Sequence, residues 1–175
     1  MTIPTREQCM EYLDENDVPE NVRRHSFAVN KVAVFLAKKL KEAGEDVDID
    51  LVDRASLLHD LDKIQTLDNG KHGEMTREIL TREGHPRVGE LAFKHKFNQV
   101  TNLNGWEEKV VNYADKRCRE DNLVSLEERF RYARERYPRH SKPETIALEK
   151  HFFGLEKEIF DRIKMKPEQL KEHIK

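Results

Sequence analysis

Histidine and aspartate side chains recur on the apolar faces of predicted helices in the first two thirds of the chain. His25 falls on the same helical face as Val22 and Val29, because residues three and four apart lie on one side of a helix. His59 and Asp60 are adjacent at the end of another apolar helical segment. An ionised carboxylate beside a buried apolar face is costly unless a positive charge neutralises it, so a cation is expected next to Asp60.

A second carboxylate presents the same conflict. Asp115 shares a helical face with Val111 and Cys118, at spacings of four and three residues. The predicted inward-facing ligands are His25, His59, Asp60 and Asp115. Two imidazoles and two carboxylates suit a divalent ion such as Mn, Fe, Mg, Zn, Co or Ni, and they leave positions open for water and substrate. The alternative for Asp115 is a salt bridge to Lys116 or Arg119 on the helix surface.

Two further histidines are candidates for a second ion. His72 lies at the start of the predicted fourth helix, and His95 lies at the end of the fifth. With Asp60 as a bridge, they could hold a second metal beside the first. The alternatives are a capping contact for His72 and a surface position between Lys94 and Lys96 for His95.

The other potential ligands are interpreted without a metal. His85 precedes Pro86 at a helix start, which favours a structural role. The histidines predicted to lie on the surface are His140, His151 and His173. Cys9 and Cys118 form no metal-like pair and are predicted to be small core or surface thiols. This cysteine usage fits a reducing, cytoplasmic compartment.

The elements that must position these residues are all predicted to be helices. Glycine is scarce, with 7 residues, and apolar residues recur every three or four positions nearly end to end. The predicted helices span about 6–16, 19–43, 51–60, 73–83, 86–95, 106–121, 126–137 and 143–163. Thr5, Asp50 and Ser125 are the predicted N-caps. Polar loops are expected at 66–71 and 97–105, so the fold class is all-α.

The last long helix has an apolar stripe of its own. Its members are Leu148, Phe152, Leu155, Ile159 and Ile163, widened by Phe153 and Phe160. We expect this stripe to pack on the main bundle, and the alternative is a homodimer contact. The predicted organisation is one domain over residues 1–138, with its core at about 18–120, followed by a packed helical extension over 139–175.

Composition restricts the function classes. The 175 residues carry 32 Lys+Arg and 34 Asp+Glu, which gives a net charge of -2. Nucleic-acid binders usually carry a basic excess, so a nucleic-acid partner is not expected. The longest apolar run is far shorter than the ~20 residues of a membrane span, and no secretory signal is visible, so no membrane partner is expected either.

The order of these residues resembles the HD superfamily of metal-dependent phosphohydrolases. His25, then His59 with Asp60, then Asp115 lie on successive predicted helices, and the resemblance covers about residues 18–120. Residues 57–63 (LLHDLDK) resemble the family's apolar helix followed by HD-x-G-K. Residues 71–86 resemble the second-histidine region of the HDIG branch, and 113–116 (YADK) resemble the final metal aspartate.

The resemblance implies an all-α bundle with the metal at its centre. It implies hydrolysis of phosphate esters or anhydrides, with nucleotide-like small molecules as the expected substrates. His72 and His95 match the extra histidines of two-metal members, so two ions are favoured over one. Lys63 would neutralise a phosphate oxygen, and Asp60 or Asp62 could orient the attacking water.

One residue departs from the family pattern. Asp62 stands where HD-x-G-K has glycine. A carboxylate next to a phosphate site would repel the substrate unless it binds metal, pairs with Lys63 or points away. Two other functions stay open at this point: a di-iron oxygenase on the same fold, and a non-catalytic module that binds a nucleotide or a partner. Metal identity would distinguish the first, and turnover the second.

Overall fold

Helices make up almost all of the regular structure in the computed structural model, which describes residues 2–67 and 70–174. The helices are α1 (Arg6–Glu15), α2 (Glu20–Glu42), α3 (Ile49–Leu58), α4 (Glu74–Arg82), α5 (Pro86–Phe93), α6 (Trp106–Lys116), α7 (Leu126–Arg136), α8 (Pro143–Ile163) and α9 (Leu170–His173). Short 3₁₀ segments cover Phe97–Thr101, Pro138–Ser141 and Pro167–Gln169. The predicted all-α class is confirmed. Within these described ranges, no helix is both long enough and apolar enough to cross a bilayer.

Local sequence signals determine where several helices begin. The Thr5 hydroxyl accepts a hydrogen bond from the Gln8 amide at 3.1 Å, and the Gln8 side chain accepts one from the Thr5 amide at 2.8 Å. Ser125 begins α7 with the same reciprocal capping box. The predicted Asp50 cap is wrong, because Asp48 accepts the hydrogen bond of the Leu51 amide and α3 begins two residues earlier than expected.

The second helix is the central element of the bundle. It packs against α3, α6 and α8, and its buried apolar face includes Val29, Val32 and Leu36. These contacts place His59, directly after α3, and Asp115, on α6, next to His25 in the first half of α2. Helix α8 contacts α2 and α6 through its stripe, in which Phe152 and Ile159 are fully buried. The division of the chain at residues 138/139 stays a prediction.

The sequence did not predict the only strands in the described part of the chain. Helix α6 ends at Lys116 rather than near 121, and β1 (Cys118–Arg119) then pairs antiparallel with β2 (Asn122–Leu123). Arg117 closes this hairpin from its base: its carbonyl accepts from the Val124 amide, and its Nε donates to the Val124 carbonyl at 2.7 Å. The chain turns at Glu120, whose φ is 55°.

The segment between α3 and α4 carries five of the residues singled out above: His59, Asp60, Asp62, Lys63 and His72. It leaves α3 through a series of turns over residues 59–67 and reaches α4 through Gly73, whose φ is 82°. Only glycine adopts that left-handed conformation without strain, so Gly73 allows the chain to turn back against the residues that follow α3. Part of the predicted loop at 66–71, namely Asp68 and Asn69, lies outside the described residues.

Candidate metal centre

The structure brings all six predicted metal ligands together in two adjacent groups. The first group consists of His25 on α2, His59 directly after α3, and Asp115 on α6. The Nε2 atom of His25 lies 3.0 Å from Asp115 Oδ1, and the Nε2 atom of His59 lies 3.6 Å from the same oxygen. The ligand atoms all lie within 4.8 Å of one another, a spacing that a single metal ion can span.

The second group consists of Asp60, His72 and His95. Asp60 Oδ1 lies 3.1 Å from His72 Nε2 and 3.6 Å from His95 Nε2. The predicted fifth helix ends two residues early, at Phe93, so His95 lies in the turn that follows α5 rather than at the helix end. It is nevertheless buried, so the alternative surface position is wrong.

Asp60 lies between the two groups. Its Oδ1 atom faces the second group, and its Oδ2 atom lies 3.7 Å from His59 Nε2 and 3.9 Å from His25 Nε2. One carboxylate therefore presents a separate oxygen to each group. This is the arrangement that a carboxylate bridging two cations requires.

Hydrogen bonds to the protein backbone fix the tautomers of three of the four histidines. A carbonyl oxygen can only accept, so a ring nitrogen that bonds one must carry the proton. The Nδ1 atoms donate to the carbonyls of Glu120 (from His25, 2.7 Å), Ser56 (from His59, 2.8 Å) and Ala92 (from His95, 2.6 Å). When these rings are neutral, each Nε2 lone pair consequently points into the shared centre.

The fourth histidine is held by the residue that departs from the family pattern. Asp62 is fully buried, and its Oδ1 atom accepts from His72 Nδ1 at 2.8 Å. Its Oδ2 atom accepts from the amides of Gly73 at 2.7 Å and Thr76 at 3.0 Å. Asp62 therefore caps the N-terminus of α4 and orients the His72 ring, with its charge directed away from the centre. The capping contact suggested as an alternative for His72 is therefore made by Asp62.

Several imidazole nitrogens in the centre have lone pairs that accept no hydrogen bond, as expected of metal ligands. His59 Nε2 is buried and has no hydrogen-bond partner in the described part of the chain. The Nε2 atoms of His72 and His95 face each other at 3.0 Å, although both rings use Nδ1 as a donor. Two lone pairs at that distance repel unless a cation or a proton lies between them. Four nitrogens and two carboxylates that converge in this way fit divalent cations.

Burial and neighbouring charges act in opposite directions on the two carboxylates. Burial raises the pKa of Asp60, but Lys63 and the surrounding histidines hold it well below its ordinary value. Burial acts likewise on Asp115, and the Lys116 charge together with His25 again brings its pKa well below the usual range. Burial and the neighbouring imidazoles lower the pKa of His95 well below normal, which keeps that ring neutral. Anionic oxygens and a neutral imidazole are the forms that bind metals.

Two lysines pair with these carboxylates. Lys63 Nζ lies 3.3 Å from Asp60 Oδ2, so the suggested pairing of Lys63 with Asp62 is wrong. Lys116 is buried, contacts the Asp115 carboxylate, and donates to the His95 carbonyl at 2.9 Å. The Asp115 ion pair that the sequence suggested for the helix surface thus exists with Lys116, but inside the protein. Sequence reasoning gave Lys116 no part in the centre, although it directly follows a predicted ligand.

The remaining histidines and both cysteines lie outside the two groups. His85 Nδ1 lies 2.9 Å from the Thr2 carbonyl and its Nε2 lies 3.2 Å from the Tyr12 hydroxyl, which confirms its structural role. His140 is half-buried and packs edge-on against Phe97. The exposed histidines are His151 and His173. The buried free thiols are Cys9 and Cys118.

Comparisons with known proteins agree with this geometry. The family model described as "HD domain" matches residues 22–133, a span that contains every member of both groups. The chain is 32% identical over 117 residues to an uncharacterized protein of Methanocaldococcus jannaschii, an alignment that covers 58% of this chain and 68% of the relative. No solved structure gives a significant match. The chain belongs to the HD domain family.

Proposed function

We propose that this chain is a metal-dependent hydrolase of phosphate esters or anhydrides, with nucleotide-like small molecules as its substrates. The observation that carries the proposal is the convergence of four imidazole nitrogens and two carboxylates beside the ammonium group of Lys63. HD domains bind divalent metals, and this donor set suits hard-to-borderline ions. Phosphate oxygens bind such ions and also pair with the ammonium group of a lysine.

Two ions are better supported than one. His25, His59 and Asp115 would hold the first ion. The second would be held by Asp60, His72 and His95, with Asp60 shared between the two. When bound, the ions would supply Lewis acidity that lowers the pKa of a coordinated water and polarises a phosphoryl oxygen.

Lys63 supplies the charge that a phosphate substrate needs. The Asp60 carboxylate raises the pKa of Lys63 above its ordinary value, so the side chain is protonated at neutral pH. Its side chain is 41% exposed, so a substrate that approaches from solvent can contact it. In this position, Lys63 would neutralise a non-bridging oxygen as charge develops on it.

Asp60 would position the attacking water. Its two oxygens face both histidine groups, and Lys63 contacts the same carboxylate at 3.3 Å. The carboxylate stays ionised because its pKa is held well below the ordinary value, so it can accept a hydrogen bond from a water molecule. Asp62, the other candidate for this role, is occupied by His72 and the start of α4.

The test is a metal analysis followed by a turnover screen. Protein purified without added metal is examined by elemental analysis and then assayed with Mn, Mg, Co and Ni against phosphomonoesters, phosphodiesters and nucleoside polyphosphates. We expect metal-dependent release of phosphate or pyrophosphate, absent from a His59→Ala preparation made in the same way. A mixed-valence iron pair without phosphate release would instead favour an oxygenase, and metal binding without any turnover would favour a binding module.

A further inference from the structure

Two side chains of α6 hold the turn that carries His95. The Nδ2 atom of Asn112 donates to the carbonyl of Lys94 at 2.7 Å and to the carbonyl of Lys96 at 3.1 Å. Lys116, one turn further along α6, donates to the His95 carbonyl at 2.9 Å. Carbonyls at a helix end have no partner within that helix, so another element must satisfy them. Three consecutive carbonyls at the end of α5 are thus fixed by α6.

The same face of α6 serves both ligand groups. Asp115 and Lys116 follow Asn112 by three and four positions, so the three side chains lie on one face of the helix. Asp115 belongs to the first group, whereas the other two hold the backbone around His95, a member of the second. Lys116 contacts both groups, because its ammonium also pairs with the Asp115 carboxylate. Helix α6 therefore sets the position of one group relative to the other.

The side-chain oxygen of Asn112 shows that packing alone does not account for this residue. Asn112 is fully buried, and its Oδ1 atom accepts no hydrogen bond from any described residue. The two carbonyls fix the orientation of the amide, because only its NH₂ group can donate to them. A leucine of similar size would fill the space without an unpaired buried acceptor, which is costly. What the amide adds over leucine is its pair of donors to the turn.

We infer that Asn112 and Lys116 are positioning residues for the second metal ion and act through His95. The Nδ1 atom of His95 donates to the Ala92 carbonyl at 2.6 Å, so the ring is oriented by the end of its own helix. A displacement of the turn would consequently move the Nε2 atom that faces Asp60. Groups that orient a metal ligand typically change the affinity for the metal by ~10- to 100-fold. This inference rests on the two-ion form of the proposed function.

Calorimetric titration of the full chain with manganese, after a chelator has removed bound metal, tests the inference without turnover. The variants are Asn112→Leu and Asn112→Asp, which keep the size of the side chain and remove both donors. We expect each to weaken binding of the second ion by ~10-fold or more, with little change for the first. The carboxylate of Asn112→Asp would by its charge strengthen cation binding, so a loss in that variant reports the position of the turn.

The matched control lies at the adjacent position of α6. Tyr113→Phe removes a buried hydroxyl that donates to Glu156, and it should leave both manganese affinities unchanged. Lys116→Met removes the third contact with the turn and should also weaken the second ion alone. It provides the same measurement if circular dichroism shows that neither Asn112 variant is folded.

Stoichiometry separates a positioning residue from a ligand. At saturating manganese, the Asn112 variants should still bind two ions because all six ligands remain, whereas His95→Ala should bind one. Unchanged affinity for the second ion, or equal loss at both ions, would overturn the inference. A chain that shows the expected selective loss but hydrolyses no phosphate compound would support the inference while the proposed hydrolase activity fails.

Discussion

The two ligand groups differ in how their histidines are held. In the first group, His25 and His59 donate to backbone carbonyls, and the side chain of His59 is fully buried. In the second group, His72 precedes α4, is 28% exposed, and donates to the carboxylate of Asp62. His95 of the second group is held by the Ala92 carbonyl, so the difference lies in His72, whose orientation depends on one side chain in the connection between α3 and α4.

This difference has a consequence for metal binding. The Ser56 carbonyl that holds His59 lies in the buried helix α3 and keeps its position when side chains nearby change, so the first group should retain its ion most firmly. The second group shares Asp60 with the first but depends on Asp62 for its orientation. We expect the ion of the second group to exchange more readily and to be lost first to a chelator.

The largest effect on turnover and metal content is expected from loss of a buried ligand of the first group or of the carboxylate that both groups share. Asp60→Ala should abolish turnover and bound metal, because Asp60 serves both groups, and His59→Ala should abolish turnover and remove the ion of the first group, because it removes a buried ligand of that group. Helical content should survive, since the apolar core of the bundle is untouched. Elemental analysis, turnover and circular dichroism check this together. Full metal content and full rate in either variant would show that the centre is elsewhere.

The next largest effect is expected from variants that remove a ligand of the second group alone. His72→Ala and His95→Ala should each lower the metal content from about two ions per chain to about one, because both residues belong only to the second group. The matched control is His85→Ala, which removes a buried imidazole that contacts Thr2 and Tyr12 instead. Identical metal content in all three variants would contradict the division into two groups.

A smaller effect is expected from the residue that orients His72. Asp62→Asn removes the carboxylate that accepts from His72 Nδ1, and we expect the affinity for the second ion to fall ~10- to 100-fold while the first ion is retained. Calorimetric titration with manganese measures both affinities. Asp48→Asn, which alters the cap of α3, is the control. A uniform loss at both groups would show that Asp62 only stabilises the fold.

The smallest effect is expected from substitution of Lys63, which should leave both ions in place. Lys63→Met keeps the aliphatic stem and removes the charge next to Asp60, so kcat/KM on the best phosphate substrate should fall at least ~10-fold. Metal content should not change, because Lys63 is not a ligand of either group. An unchanged kcat/KM would assign Lys63 a structural role and weaken the case for a phosphate substrate.

The sequence predicted that several residues of the candidate centre face inward, because short-range rules govern their orientation. The inward orientation of His25 and Asp115 follows from helical spacing, since each shares a face with apolar residues of its own helix. The capping boxes at Thr5 and Ser125 likewise depend on residues three positions apart. Such features can be predicted without knowing what packs against them.

The sequence failed where contacts join distant segments. The hairpin after α6 has strands of two residues each, too short to show any alternation, yet its turn supplies the Glu120 carbonyl that orients His25, 95 positions away along the chain. The role of Asp62 depends on a turn that returns the chain to it 10 residues later, at His72.

Anomalous diffraction from manganese-soaked crystals tests the central claim most directly, because it locates each ion. The account predicts two anomalous peaks, one among His25, His59 and Asp115 and the other among Asp60, His72 and His95. Asp60 should contact both peaks, and Asp62 should contact neither. A single peak, or a peak outside these six side chains, would contradict the two-ion centre.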